Sequence, residues 1–191
     1  MANKSQIAAL IVSAIAFTGY ILLRKRKTFG NGDTEIYDYS GYGESISRGY
    51  RNNNPLNVSY STKNPWKGKV LPNTDKLNRF EQFVSTPYGY RAAFITMRNY
   101  GTEYGFYTVK DIITRYAPEK DNNNTADYIN RVCQYSGLKP NTYMGPNDRD
   151  KWLKMAYAMS IVENDVPLYH NLLQQLGLPN MEAIQKGWSL I

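Results

Sequence analysis

Glu163 is the acid whose placement could do chemistry. It follows Trp152, Ala156 and Met159 at intervals of four, three and four residues, so a helix puts all four on one face. The apolar neighbours make that face a core-facing stripe, and the carboxyl closes it at the helix end. Partial desolvation and the negative end of the helix dipole both favour the protonated form. A carboxylic acid that stays protonated near neutral pH can donate a proton to a glycosidic oxygen. A solvated helix-terminal glutamate is the plain structural reading of the same position. Glu44 is the competing acid, but it lies among glycines with nothing near it in sequence to desolvate it. Asp121, Asp127 and Asp148 flank expected helix starts, where capping accounts for them.

The second chemical stretch is Arg48-Gly49-Tyr50-Arg51-Asn52-Asn53-Asn54-Pro55-Leu56-Asn57-Val58. Asparagine competes for its own backbone and proline restricts the residue before it, so this run predicts a tight turn lined with amides. Amides both donate and accept. Beside Tyr50 and Tyr60 they suit a polar ligand, although an ordinary Asx-rich loop has the same composition.

Other chemistries fit poorly. One cysteine, Cys133, excludes an internal disulfide, and with the single histidine, His170, it cannot build a Cys/His zinc site. There is no Gly-x-Ser-x-Gly elbow, phosphate loop or dinucleotide fingerprint, and the surroundings of Cys133 read as an apolar helix face. No metal or organic cofactor is implied.

The elements that must position these residues follow from the rest of the 191-residue chain. Ile7 to Leu23 is an uncharged run of 17 residues followed at once by Arg24-Lys25-Arg26-Lys27. That pattern predicts a single transmembrane helix with a basic stop, residues 1–27, and a cytoplasmic body. A cleaved signal peptide would carry its charge on the other side. The expected localisation is therefore single-pass in a membrane. Lys4 and the tetrabasic cluster account for five of the 23 basic residues, leaving 18 against 16 acidic ones. The net charge of +7 is thus a membrane-flank feature, and nucleic acid is not an expected partner. Residues 28–47, rich in glycine and tyrosine, read as a linker.

Residues 48–191 form the expected soluble domain. Val58–Tyr60, Trp66–Leu71 and Phe80–Val84 suggest a small β-ribbon. Helices then take over. One opens at Tyr88–Ala93 and runs to about Tyr100. A second is capped by Thr108, shows an apolar face of Val109, Ile112, Ile113 and Tyr116, and stops before Pro118. A third starts at Asn122–Thr125 and ends at Gly137, and a fourth covers Arg149 to Glu163. A last pair covers Val166–Leu176 and Met181–Leu190. The expected class is α+β, mostly helical.

At these residues the chain resembles a phage and prophage family often labelled virion structural protein and thought to be lysozyme-like peptidoglycan hydrolases. Its members tend to open on Arg-Gly-Ile-Arg-Asn-Asn-Asn-Pro-Gly-Asn-Ile, matched by Arg48 to Val58 with Tyr50 for isoleucine and Leu56 for glycine. Trp66-Lys67-Gly68, Phe80 to Phe83, Tyr88 to Ala92, Arg115 to Pro118 and Asn123 to Tyr128 match later motifs in order. The family's His-Glu-Asn-Gly followed by Pro-Tyr becomes Val162-Glu163-Asn164-Asp165, then Pro167-Leu168-Tyr169. Asp165 would add like-charge repulsion beside Glu163. The resemblance covers roughly residues 48 to 190.

The Asn54–Gly68 segment is also similar to the Asn-x-Phe-Gly-x-Lys and Trp-x-Gly region of bacterial N-acetylglucosaminidases, whose catalytic glutamate precedes that region. Here the well-placed glutamate follows it, so the elements are permuted, Glu44 takes the role, or catalysis is lost.

The resemblance implies a lysozyme-like domain degrading peptidoglycan glycan strands during entry or release, by hydrolysis or lytic transglycosylation. Glu163 would be the catalytic acid, with Glu44 the alternative. Asn54 and Asn57 would hold N-acetyl or hydroxyl groups, and Tyr60, Trp66, Tyr88 and Tyr128 would pack on sugar faces. The other expectation is a non-catalytic virion protein that binds wall glycan or bridges a viral or host membrane and capsid proteins, and the resemblance implies that the single-pass anchor sits in a virion membrane or the host inner membrane.

Overall fold

A computed structural model describes residues 37–191 except 76, 78, 165 and 166. The chain divides into two compact units, Met1–Asp38 and Tyr39–Ile191. Almost all described residues belong to the second. Its first turns are a 3-10 segment, Ser40–Ser45, with Tyr39, Ile46 and Ser47 buried, inside the stretch expected to be linker.

Seven α-helices follow among the described residues. They are α1 (Arg48–Arg51), α2 (Thr86–Tyr104), α3 (Val109–Tyr116), α4 (Thr125–Ser136), α5 (Arg149–Asn164), α6 (His170–Gln175) and α7 (Met181–Ser189).

Local signals set the helix ends. Pro87 opens α2, where a missing N–H costs nothing. The helix closes at Gly105, in the left-handed region at φ 72°, with Phe106 N–H bonded to Tyr100 O at 3.1 Å. The Thr108 side chain accepts from Asp111 N–H at the start of α3, and Asn124 accepts from Asp127 N–H at the start of α4. Gly137, at φ 70°, ends α4.

Helix α5 is the central one, buried on several sides through Trp152, Leu153, Met155, Ala156, Ala158 and Met159. It packs against α4, α7 and α1, while α2 packs mainly on α7. Phe94, Trp152 and Trp188 join these helices as an aromatic cluster, with centroids 5.2 Å apart for Phe94–Trp188 and 6.5 Å for Trp152–Trp188. Burying each such large apolar side chain contributes about 1.5–3 kcal/mol.

The fold is helical rather than α+β, and the expected β-ribbon is corrected. Among the described residues there is no strand, only the isolated bridges Ser59↔Phe80, Lys69↔Phe83 and Thr108↔Tyr143. Segments 58–60, 66–70 and 80–84 do run side by side, as Glu81 N–H to Val58 O and Val70 N–H to Gln82 O show. They are too short, and too interrupted by Gly68 and Pro72, to propagate a ladder. Side chains hold the loop instead.

The main fastener is Asp75, which accepts from Arg48 Nε at 2.8 Å and Nη2 at 2.5 Å and from Asn52 Nδ2 at 3.1 Å. Burial alone would raise its carboxyl. The hydrogen bonds from Arg48, Asn52 and the Arg79 N–H outweigh that and hold it at about 2. A depressed carboxylate stabilises the fold above its unfolded value of 3.8 and loses that contribution as pH falls through about 2. Asp75→Asn is therefore expected to cost about 2 kcal/mol at pH 7 and to flatten the fall of stability between pH 4 and 2. Urea titrations at both ends of that range read the difference; equal slopes for the two proteins would contradict it.

The membrane expectation is corrected as well. Among the described residues no helix is long and apolar enough to cross a membrane. The longest, α2, has 19 residues but carries Arg91, Arg98 and Glu103 and is amphipathic. The run Ile7–Leu23 lies outside the described residues. Among the described residues the single-pass localisation therefore has no structural counterpart.

Candidate functional site

The carboxyl of Glu163 lies in the last turn of α5, where the asparagine turn docks. Asn57 Nδ2 donates to Glu163 Oε2 at 2.7 Å, and the Tyr128 hydroxyl of α4 donates to Oε1 at 2.7 Å. Burial pushes the Glu163 carboxyl above the ordinary glutamate range. The bonds from Tyr128 and Asn57 and the positive charge of Arg79 pull it back without reversing the shift. Burial, and next the charge of Glu163, drives the phenols of Tyr128 and Tyr116 far upward, so both remain neutral donors. The Tyr116 hydroxyl donates to Leu56 O at 2.5 Å and so ties the turn to α3.

The turn holds its shape through backbone that few residues accept. Asn53 and Asn57 have φ of 51° and 54°. Asparagine visits this left-handed region more readily than other side chains with a Cβ, which gives the asparagine run a backbone role beside its chemical one. Asn164, adjacent to the acid, completes the dock. It accepts from Ser47 Oγ at 2.8 Å and donates to Pro55 O at 2.6 Å and Ser160 O at 2.9 Å. Gly49 makes room for it, since a Cβ there would stand 2.3 Å from Asn164 Oδ1.

Asn164→Ala leaves the buried Pro55 carbonyl and the Ser47 hydroxyl without these partners. A loss of about 2–4 kcal/mol is expected in urea unfolding; less than about 1 kcal/mol would mean the turn does not depend on this dock.

The expected site residues separate into two groups. Asn57 and Tyr128 meet Glu163. Asn54 does not face outward: its amide is fully buried, donating to Val58 O and Glu81 O at 3.0 Å and accepting from Val58 N–H at 2.9 Å. It braces the turn. Tyr60 is half-buried under Lys69, whose Nζ stands 4.8 Å from the ring centroid. Tyr88 packs on Gly68. Trp66 is half-buried, and its Nε1 is buried without a hydrogen-bond partner among the described residues. Among the described residues these three give Glu163 no hydrogen bond. Glu44 is exposed and pairs with Arg51 at 2.9 Å, so nothing desolvates it.

Sequence reading passed over Tyr116, Arg79, Asn164 and the buried pair Lys69–Glu81. Tyr116 had been placed on the apolar face of its helix, which hides the role of its hydroxyl. Lys69 Nζ bonds Glu81 Oε1 at 3.0 Å and Ser61 O at 2.6 Å, with side-chain exposures of 7% and 1% for the two charged residues. Lysine at 69 and glutamate at 81, twelve residues apart in a loop, have no local signature of pairing.

No protein-family model matches the chain. It is similar to Protein P5 of Pseudoalteromonas phage PM2, at 37% identity over 97 residues. The chain has a phage relative. The matched stretch is 50% of this chain and 59% of Protein P5, so the chain spans less than two thirds of that protein's length.

Proposed function

We propose that this chain is a phage virion protein that cleaves the glycan strands of peptidoglycan, with Glu163 as the general acid. The observation that carries the proposal is a carboxyl kept above the ordinary glutamate range by burial and fixed by two neutral donors, Asn57 and Tyr128. A second observation fits an N-acetylated sugar. With its Nδ2 on Glu163, Asn57 leaves Oδ1 buried and without a partner among the described residues. An acetamido N–H is the kind of donor that atom lacks.

In the proposed reaction the Glu163 proton passes to the bridging oxygen as the C1–O bond breaks. Glu44, exposed and paired, is not placed to act as a second carboxylate. The acetamido oxygen of the substrate therefore attacks C1, rather than a carboxylate of the protein. Water or the sugar's own 6-hydroxyl then displaces it and returns a proton to the Glu163 carboxylate. The first route gives hydrolysis, the second lytic transglycosylation.

A non-catalytic virion protein that binds wall glycan or capsid is the second reading. It is favoured by the fact that both Glu163 oxygens are already engaged inside the protein. Turbidity loss and soluble fragments from purified peptidoglycan separate the two. Cleavage that is lost in Glu163→Gln but kept in Glu44→Gln supports the first reading. Cleavage unchanged in Glu163→Gln removes Glu163 from the role, and glycan binding without cleavage supports the second.

A further inference from the structure

At the opposite end of α5 from Glu163, Trp152 forms part of the wall of an open cavity of about 420 Å³. Eleven residues at the helical rise separate the two ends by roughly 16 Å. The volume is in the range of small-molecule sites, about 300–1,000 Å³. Aromatic faces come from Phe106, Tyr107 and Tyr143, and polar groups from Arg98, Asn99 and Thr102. We infer that this cavity is a second saccharide-binding site, which holds a more distant part of the strand engaged at Glu163. The inference rests on the glycan reading given above.

A pyranose has a flat C–H face and a rim of hydroxyls, so its site needs aromatic surfaces edged by hydrogen-bonding groups. The two tyrosines provide such a surface, with centroids 5.5 Å apart, planes inclined by 31°, and Tyr143 55% exposed. Their backbones are paired, through the Thr108↔Tyr143 bridge and Met144 N–H to Tyr107 O at 2.7 Å. The surface is therefore formed before any ligand arrives. Gly101 allows it, because a Cβ there would lie 2.5 Å from the Tyr107 ring. Arg98 is held with its guanidinium 5.5 Å from the Trp188 centroid and presents a fork of donors to hydroxyls or acyl oxygens.

A row of aromatic rings leads away from the cavity. Phe106 stacks on Tyr104 at 5.8 Å, and Tyr104 neighbours Tyr100 at 6.4 Å. Arg115 covers Tyr100 and Tyr104 at 5.8 and 4.9 Å. Those two rings are spacers, and the open platform is Tyr107 with Tyr143.

The test titrates the full-length Glu163→Gln protein with a soluble N-acetylglucosamine oligomer and follows amide shifts by NMR. Saturable shifts at Phe106, Tyr107, Tyr143 and Met144 are expected. Tyr143→Ala should remove them and weaken affinity about tenfold, Tyr143→Trp should restore them, and Tyr135→Ala, an exposed tyrosine on α4, should change neither. Shifts confined to Asn57 and the α5 terminus, or unchanged binding in Tyr143→Ala, overturn the second site and leave the Glu163 reading standing. Shifts at the cavity alone would mean that no strand runs from it to Glu163, and they overturn the inference as well. No binding at all overturns the inference, while the cleavage assay judges Glu163 independently.

Discussion

Glu163→Gln is expected to lower glycan cleavage by about 10²–10⁴-fold, the usual worth of a positioned general acid, with little change in fold. Glutamine keeps the shape and one carbonyl acceptor for Tyr128 or Asn57 but has no proton to give. The same assignment fixes a pH dependence. The active form of Glu163 is protonated, so activity falls as pH rises through its raised pKa, above the ordinary glutamate value of 4.5. The bonds from Tyr128 and Asn57 lower that pKa, so removing either donor raises it. Tyr128→Phe should therefore move the alkaline limb of the pH–rate profile to higher pH, even if kcat falls. A limb that moves to lower pH, or stays in place, would show that the titrating group is not Glu163.

Glu81→Ala is expected to destabilise the protein by about 3–5 kcal/mol, because it strands a buried lysine without its counter-ion. Lys69 is held in place by the Ser61 carbonyl as well as by Glu81, and its side chain is only 7% exposed. Double replacement by apolar residues of similar size, Lys69→Met with Glu81→Leu, should recover most of the loss, since burying the pair is costly in itself. The Glu81 oxygen Oε2, buried without a partner among the described residues, makes that cost larger. Urea unfolding of the wild type, Lys69→Met, Glu81→Leu and their combination forms a double-mutant cycle. Additive effects would mean that the two charges do not interact in the folded state. The loop they hold carries Asn57 at one end, so the single variant should also loosen the bond to Glu163.

Much of the helical frame was legible from local chemistry. Thr108 with Asp111, Asn124 with Asp127, Gly137 and Pro118 each act within a few residues, and the structure uses each where the sequence puts it. The spacing of Trp152, Ala156, Met159 and Glu163 likewise needs only helical periodicity, and it placed the acid at the end of a buried stripe. The β-ribbon was misread because extended, apolar-rich segments look the same whether or not a ladder propagates. Here side chains satisfy much of the loop's backbone.

Which asparagine faces the acid was decided by tertiary structure alone. The bond from Asn57 to Glu163 spans 106 residues, and the direction of each amide depends on the left-handed turns at Asn53 and Asn57. Asn54, identical in type and three residues away, is consumed by the carbonyls of Val58 and Glu81. Local sequence determines that a polar turn and a helix-end acid exist. Only the packed fold determines which atoms of the two meet, because a side chain's partner is set by the elements brought against it and not by its neighbours in the chain.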